Sequence, residues 1–173
     1  VTEVDRFYAA HRDGVFRYLR RIVGGADAAT DLTQEVFLRV SRAGMPAATE
    51  TGQRAWVFKI ARNLALNHVR DGRRRPMLLP DPQALTPATQ ELGVALRDAI
   101  AALPALDRDV FLLREIVGLS YGEIAAACDI TVESVRSRLH HARQGLRQTL
   151  GATLDVRSQR GIRCTTAGPK AIG

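Results

Sequence analysis

Six polar side chains in one short stretch could grip and read a polyanion: Arg136, Ser137, Arg138, His140, His141 and Arg143. Guanidinium groups donate paired hydrogen bonds to phosphates and base edges, while hydroxyl and imidazole groups can donate or accept between them. This is the chemistry of recognition. Nothing comparable suggests bond making. His11, His68, His140 and His141 lack a neighbouring carboxylate or nucleophile in a catalytic pattern, no glycine-rich phosphate loop is present, and no Cys/His cluster has metal-ligand spacing. The sequence therefore points away from an enzyme and away from a cofactor or metal.

For those side chains to act together, one helix has to present them, and residues 118–147, GLSYGEIAAACDITVESVRSRLHHARQGLR, supply it. Ser120 followed by Glu123 is a capping box, so a helix starts there. Ile124, Ala125 and Cys128 give it an apolar face. Asp129 tolerates the left-handed conformation of a tight turn, and Thr131 caps the next helix. Val135, Leu139, Ala142 and Leu146 then recur at helical spacing and face inward. The opposite arc is polar, with arginines on both flanks. This reads as a helix-turn-helix whose second helix suits a DNA major groove. An amphipathic helix with a solvated basic face is the plainer alternative; the capped helix just before it favours the first reading.

Charge adds a second contact. Residues 1–53 carry seven acids and seven bases, whereas residues 54–75 carry seven bases and one acid. Residues 76–135 reverse this with nine acids and three bases, and residues 136–173 return to eight bases and one acid. Two basic blocks, far apart in sequence, suggest two contacts with one polyanion, each releasing counterions from the phosphates it neutralises. With 46% hydrophobic residues the chain can bury a core, and 5% aromatics with abundant Ala, Leu and Arg favour helices. Cys128 and Cys164 suggest no disulfide framework, and no apolar run is long enough to span a membrane. A cytoplasmic protein is expected, with no membrane insertion.

Taken in order, the chain is expected to be all-α: two small helical domains joined by a Pro-rich linker, the C-terminal one the helix-turn-helix. Val4, Phe7, Tyr8, Val15, Phe16, Leu19, Ile22 and Val23 predict an amphipathic helix or two, with a break at Gly14, ended by Gly24-Gly25. Asp27 is placed to cap a helix to about Ser41, with Leu32, Val36, Phe37 and Val40 inward and Asp31, Gln34, Glu35 and Arg39 outward. By itself that outer face reads as solvated surface. Residues 43–53 read as a loop. A third helix over 54–71 buries a stripe that includes Trp56, Val57, Ile60 and Leu64, with Trp56 as a packing anchor; Asn63, Asn67 and Arg70 lie on its other side with Arg62 nearby. Arg73, Arg74 and Arg75 close the segment and Pro76 stops it. The expected organisation is a domain over 1–75, a flexible linker over 76–90, a domain over 91–150 and a disordered tail over 151–173. Within the second domain, Leu92, Leu96, Ile100 and Leu103 give a short helix, and Asp107 is placed to cap another over 108–117.

These motifs, in this order, resemble the extracytoplasmic-function (ECF) sigma factors, two-domain initiation factors of bacterial RNA polymerase. DLTQEVFLRV at 31–40 resembles the family's region 2.2, RAWVFKIARNLALNHVRDGRRR at 54–75 its regions 2.3 and 2.4, and residues 102–143 its region 4. The resemblance implies that Asp31, Gln34, Glu35 and Leu38 dock on the β′ clamp coiled coil, so the acidic face gains a partner. It implies that Arg62, Asn63, Asn67 and Arg70 face the −10 promoter element, and that the loop near 47–53 holds a base flipped from the non-template strand. Arg136, Ser137, Arg138, His140 and His141 would face the −35 element, with Arg136 and Ser137 on base edges and Arg138 and Arg143 on phosphates or in helix packing. Core RNA polymerase, through β′ clamp and β flap, and promoter DNA, duplex and non-template single strand, are the implied partners; an anti-sigma factor is a further candidate. The sequence departs from the family pattern at His141, where arginine is more usual, in the absence of an aromatic residue from 43–53, and in the tail beyond Leu150. A repressor or activator that dimerises through its N-terminal helices is the alternative of another class.

Overall fold

The structure, a computed structural model, describes residues 3–46, 48–72 and 87–162, with side chains placed outside 87–92 and 152–162. Seven helices make up these residues: α1 (Glu3–Val23), α2 (Ala26–Ala43), α3 (Glu50–Arg70), α4 (Pro87–Ala102), α5 (Ala105–Glu115), α6 (Tyr121–Cys128) and α7 (Val132–Ile162). Ala47, the Arg73 to Arg75 run, most of the expected linker and residues 163–173 lie outside the described residues.

Helices α1, α2 and α3 pack on one another. Their stripes are those the periodicity predicts: Val15, Leu19 and Ile22 of α1, Val36 and Val40 of α2, and Val57, Phe58 and Ala61 of α3 are all buried. Burying each large apolar side chain contributes ~1.5–3 kcal/mol. Helix α1 runs through Gly14 without a break, because the glycine serves a close approach: the Phe58 ring of α3 sits 3.4 Å from where a Cβ would stand. Tyr18 meets the same ring edge-on, centroids 6.0 Å apart.

Two expected caps are not caps. The residue preceding α2 is Gly25, without a side-chain cap, and Asp27 sits in the first turn, where its charge faces the positive end of the helix dipole. Likewise α5 starts directly behind Pro104, which places Asp107 inside its first turn. Helix α3 begins earlier than expected, at Glu50, because the Thr49 hydroxyl accepts the Gly52 N–H at 3.3 Å. Helix α4 begins at Pro87, within the expected linker; proline suits a first helical position, where its missing N–H is not needed. In α4, Ile100 and Leu103 reach the core region while Leu96 is largely exposed.

The helix-turn-helix forms as its local signals dictate. Ser120 Oγ accepts the Glu123 N–H at 3.2 Å and Glu123 Oε2 accepts the Ser120 N–H at 2.7 Å, closing the capping box. Asp129 ends α6 at φ 55° and ψ 46°, left-handed as anticipated. Thr131 Oγ1 accepts the Ser134 N–H at 3.1 Å to start α7, and Val135, Leu139, Ala142 and Leu146 are buried. Helix α7 continues past Leu150 to Ile162, where loss of apolar periodicity predicts disorder; residues 152–162 contain no proline, and a helix can extend without burying a face.

The α4–α7 unit does not stand apart from α1–α3. Helix α6 lies along α3, α1 touches α5, and the buried residues of both units form one continuous cluster from Phe7 to Leu146. Since α6 starts on a single reciprocal cap, Ser120→Ala is expected to lower unfolding stability by ~1 kcal/mol, read as a reduced denaturant midpoint at unchanged slope.

Candidate nucleic-acid interface

Helix α7 presents Arg136, Ser137, His140 and His141 together on its exposed arc, with the two imidazole rings 6.1 Å apart. Arg138 is placed apart from them. Its Nη1 donates to Asp107 Oδ1 at 2.8 Å, and the carboxylate is almost fully buried. That explains why Asp107 is no cap: its side chain is taken by α7, and the bond fixes the roll of the outer arc. Arg143 pairs with Glu115 at 3.0 Å, both ends largely exposed. The hydrogen bond to Glu115 raises the Arg143 pKa, but so exposed a pair adds little stability.

Helix α3 carries two polar faces. Asn63, Asn67 and Arg70 are exposed along one, forming the second surface the charge pattern predicts. Arg62 is not with them. It turns toward the other unit, where its Nε donates to Asp109 Oδ2 at 2.9 Å, and only 16% of its side chain remains accessible. Lys59 follows, 2.6 Å from Asp129 Oδ1, and Arg54 donates to Val117 O at 2.9 Å and contacts Glu123 Oε1 at 3.5 Å. Sequence reasoning names none of these interdomain partners. The available signal is the reversal from a basic block at 54–75 to an acidic one at 76–135. Burial raises the Asp109 pKa, outweighing the lowering by Arg62, so the pair is formed against a desolvation penalty.

On α2, Asp31, Gln34 and Leu38 are exposed, whereas Glu35 is half-buried and bonds Arg39 at 2.7 Å. Beside them a cleft of about 310 Å³ opens between α1 and α2, lined by Tyr8, Arg12, Phe16, Thr30 and Gln34 among others. A second cleft, about 410 Å³, lies where α1 meets the 44–49 loop and the start of α3. Met45, Glu50 and Gln53 form one wall and Phe7 and His11 the other, their rings in edge contact at 4.4 Å. Gln53 pins the loop by donating to Pro46 O at 3.2 Å. Burial first, then Arg54, lowers the His11 pKa. Cys128 is buried and its thiol pushed up to about 11 by burial, which leaves it unreactive. Among the described residues no group of His, Cys, Asp and Glu could hold a metal, and no helix is long and apolar enough to cross a membrane.

Two sigma-70 modules coincide with this architecture: region 2 matches residues 7–75 and region 4 residues 93–146. The chain belongs to the ECF RNA polymerase sigma factors. It is 34% identical over 152 residues to the ECF RNA polymerase sigma factor SigL of Mycobacterium tuberculosis, covering 83% of this chain and 86% of that one. It is 37% identical over 157 residues to SigE of Mycolicibacterium smegmatis, covering 84% of this chain but only 61% of that protein. Two solved structures share the fold. CnrH, in complex with the cytosolic domain of CnrY, superposes with a TM-score of 0.68 at 24% identity, covering 86% of this chain and 88% of that one. The sigma factor RpoE of Bartonella quintana, with the anti-sigma factor NepR, gives 0.67 at 20% identity, covering 87% and 98%.

Two outcomes are expected from this geometry. Asp107→Ala and Arg138→Ala should each destabilise region 4, and the double variant should cost little more than either, a coupling of ~0.5–3 kcal/mol in a denaturation cycle. The lowered His11 pKa means that the folded state disfavours the imidazolium, so its contribution is intact above 6.5 and is lost as pH falls below. An NMR titration should place the His11 midpoint under 6.5, and His11→Asn should shrink the acid-side loss of stability.

Proposed function

We propose that this chain directs core RNA polymerase to promoters in the cytoplasm, reading the −35 element with α7 and the −10 element with α3. The observation that carries the reading is the exposed arc of Arg136, Ser137, His140 and His141 on a capped recognition helix. Arg136 is the base-edge donor best suited to a bidentate contact, with Ser137 beside it. Arg138 acts through Asp107 as a positioning residue, and Arg143 serves phosphates.

Asn63, Asn67 and Arg70 form the −10 face, with Arg62 joining them once released from Asp109. The flipped non-template base is assigned to the 410 Å³ cleft. The 43–53 loop has no aromatic side chain, but Phe7 and His11 of α1 line the cleft and offer ring surfaces against which an unstacked base can recover stacking energy. Lowered pKa keeps His11 neutral, so its ring nitrogens can both donate to and accept from a base edge. Asp31, Gln34, Glu35 and Leu38 are the docking face for the β′ clamp coiled coil, with region 4 toward the β flap. An anti-sigma factor is a candidate partner, since RpoE of Bartonella quintana, which shares this fold, is bound to one.

Transcription by core enzyme on promoter variants tests these assignments together. Arg136→Ala should lose ~1–3 kcal/mol of discrimination at one −35 position; an equal loss on every sequence would make it a phosphate contact. Asn67→Ala should change −10 preference while core-binding affinity holds. Failure of the purified protein with core enzyme to initiate at any genomic promoter would overturn the reading.

A further inference from the structure

The cations on the inner side of α3 are all occupied, and region 4 occupies them. Arg62 is held by Asp109 of α5, Arg54 by Glu123 of α6 and by the Val117 carbonyl, and Lys59 by Asp129 of the turn. Three acids from three successive elements therefore stand against the stretch of helix whose positive charge best suits nucleic-acid phosphates. The closed contact is also geometrically exclusive. Helix α7 packs on α6 and α6 on α3, so at 8–10 Å per helix contact the two reading helices are held roughly 20 Å apart. The −35 and −10 elements lie about 25 base pairs apart, roughly 85 Å at 3.4 Å per pair. A closed chain cannot touch both.

The closure is built to yield. Asp109 Oδ1 and Tyr18 Oη are buried at this interface without a hydrogen-bond partner among the described residues, and unpartnered buried polar atoms reduce what the contact gains. Lys59 and Asp129 are both well exposed, a pair that DNA or salt can displace.

We propose that region 4 is an internal competitor of promoter DNA: in the free chain Asp109, Glu123 and Asp129 hold Arg62, Arg54 and Lys59 of α3, and promoter binding requires the two units to part and hand these cations to phosphates. This rests on the reading of α3 as the −10 face. Its direct signature is chemical. Lys59 and Lys170 are the only lysines in the chain, and Lys59 Nζ lies 2.6 Å from Asp129 Oδ1, so a zero-length carbodiimide should join them as an amide readable by mass spectrometry.

The full-length free chain should give the Lys59–Asp129 linked peptide in its monomer band, and the complex with core polymerase and promoter DNA should not. Asp109→Asn leaves Arg62 facing a neutral amide, and should cut the cross-link yield by about fivefold or more and raise the affinity of the free protein for a −10 non-template oligonucleotide by a similar factor. Asp129→Asn, at an exposed left-handed position that asparagine tolerates, should raise that affinity less and without touching the core, which covers the case in which Asp109→Asn does not fold. Absence of the cross-link in the free chain, or its persistence at full yield in a transcribing complex, overturns the proposal. A cross-link that falls in Asp109→Asn with no gain in oligonucleotide binding from either variant overturns instead the assignment of α3 to the −10 element, and the competition with it.

Discussion

Glu123 is the residue on which both halves of this molecule depend. Its Oε2 closes the capping box that starts α6, and its Oε1 faces Arg54 of α3. One carboxylate therefore sets where the helix-turn-helix begins and ties that motif to the other unit. Every downstream feature inherits the cap. The length of α6 fixes where Asp129 must turn left-handed, the turn fixes the start of α7 at Thr131, and the roll of α7 decides which side chains face out. The Arg138–Asp107 bond then holds that roll from behind.

The packing between the units is supported more by apolar contact than by charge. Asp109 is buried at a desolvation penalty that Arg62 does not fully offset, as the upward shift of its pKa shows. Replacing such a pair by apolar residues often stabilises a protein, whereas removing one partner destabilises it. A buried pair of this kind therefore favours one arrangement without deepening it greatly, which suits a contact that has to be made and broken. Arg62 belongs to the −10 set in open form and to the closure in closed form, and the two uses exclude each other.

Much of this was legible in the sequence where the determinants are local. The capping box, the left-handed Asp129, the Thr131 cap and the four-residue apolar period of α7 involve only neighbours within a turn or two, and all appear as expected. Reading failed where a residue had two options and tertiary structure selected between them. Asp27 and Asp107 both fit the composition of a cap, but Gly25 and Pro104 already let the chain enter its helices, and Arg138 recruited Asp107 from α7. The early start of α3 at Thr49 was hidden by Gly52, which supplies a backbone N–H and no side chain to mark it. Gly14 read as a break because its purpose, the approach of Phe58, lies on another helix. The interdomain pairs were visible only as a reversal of charge between two adjoining segments, a pattern that says attraction is available and not which atoms meet.

The three acids of the closure are not equivalent, and the difference bears on how such a contact could arise. Glu123 is fixed by the cap and Asp129 by the turn, so a working recognition helix requires both whether or not the chain ever closes. Their meeting with Arg54 and Lys59 follows from laying α6 on α3. Asp109 has no such duty. It sits within α5, away from either helix end, and its hydrogen bond crosses to Arg62. It is the one acid of the three that can be changed without disturbing the machinery that reads DNA, and so the one position at which the balance between closed and open chain can be set independently of the recognition helix.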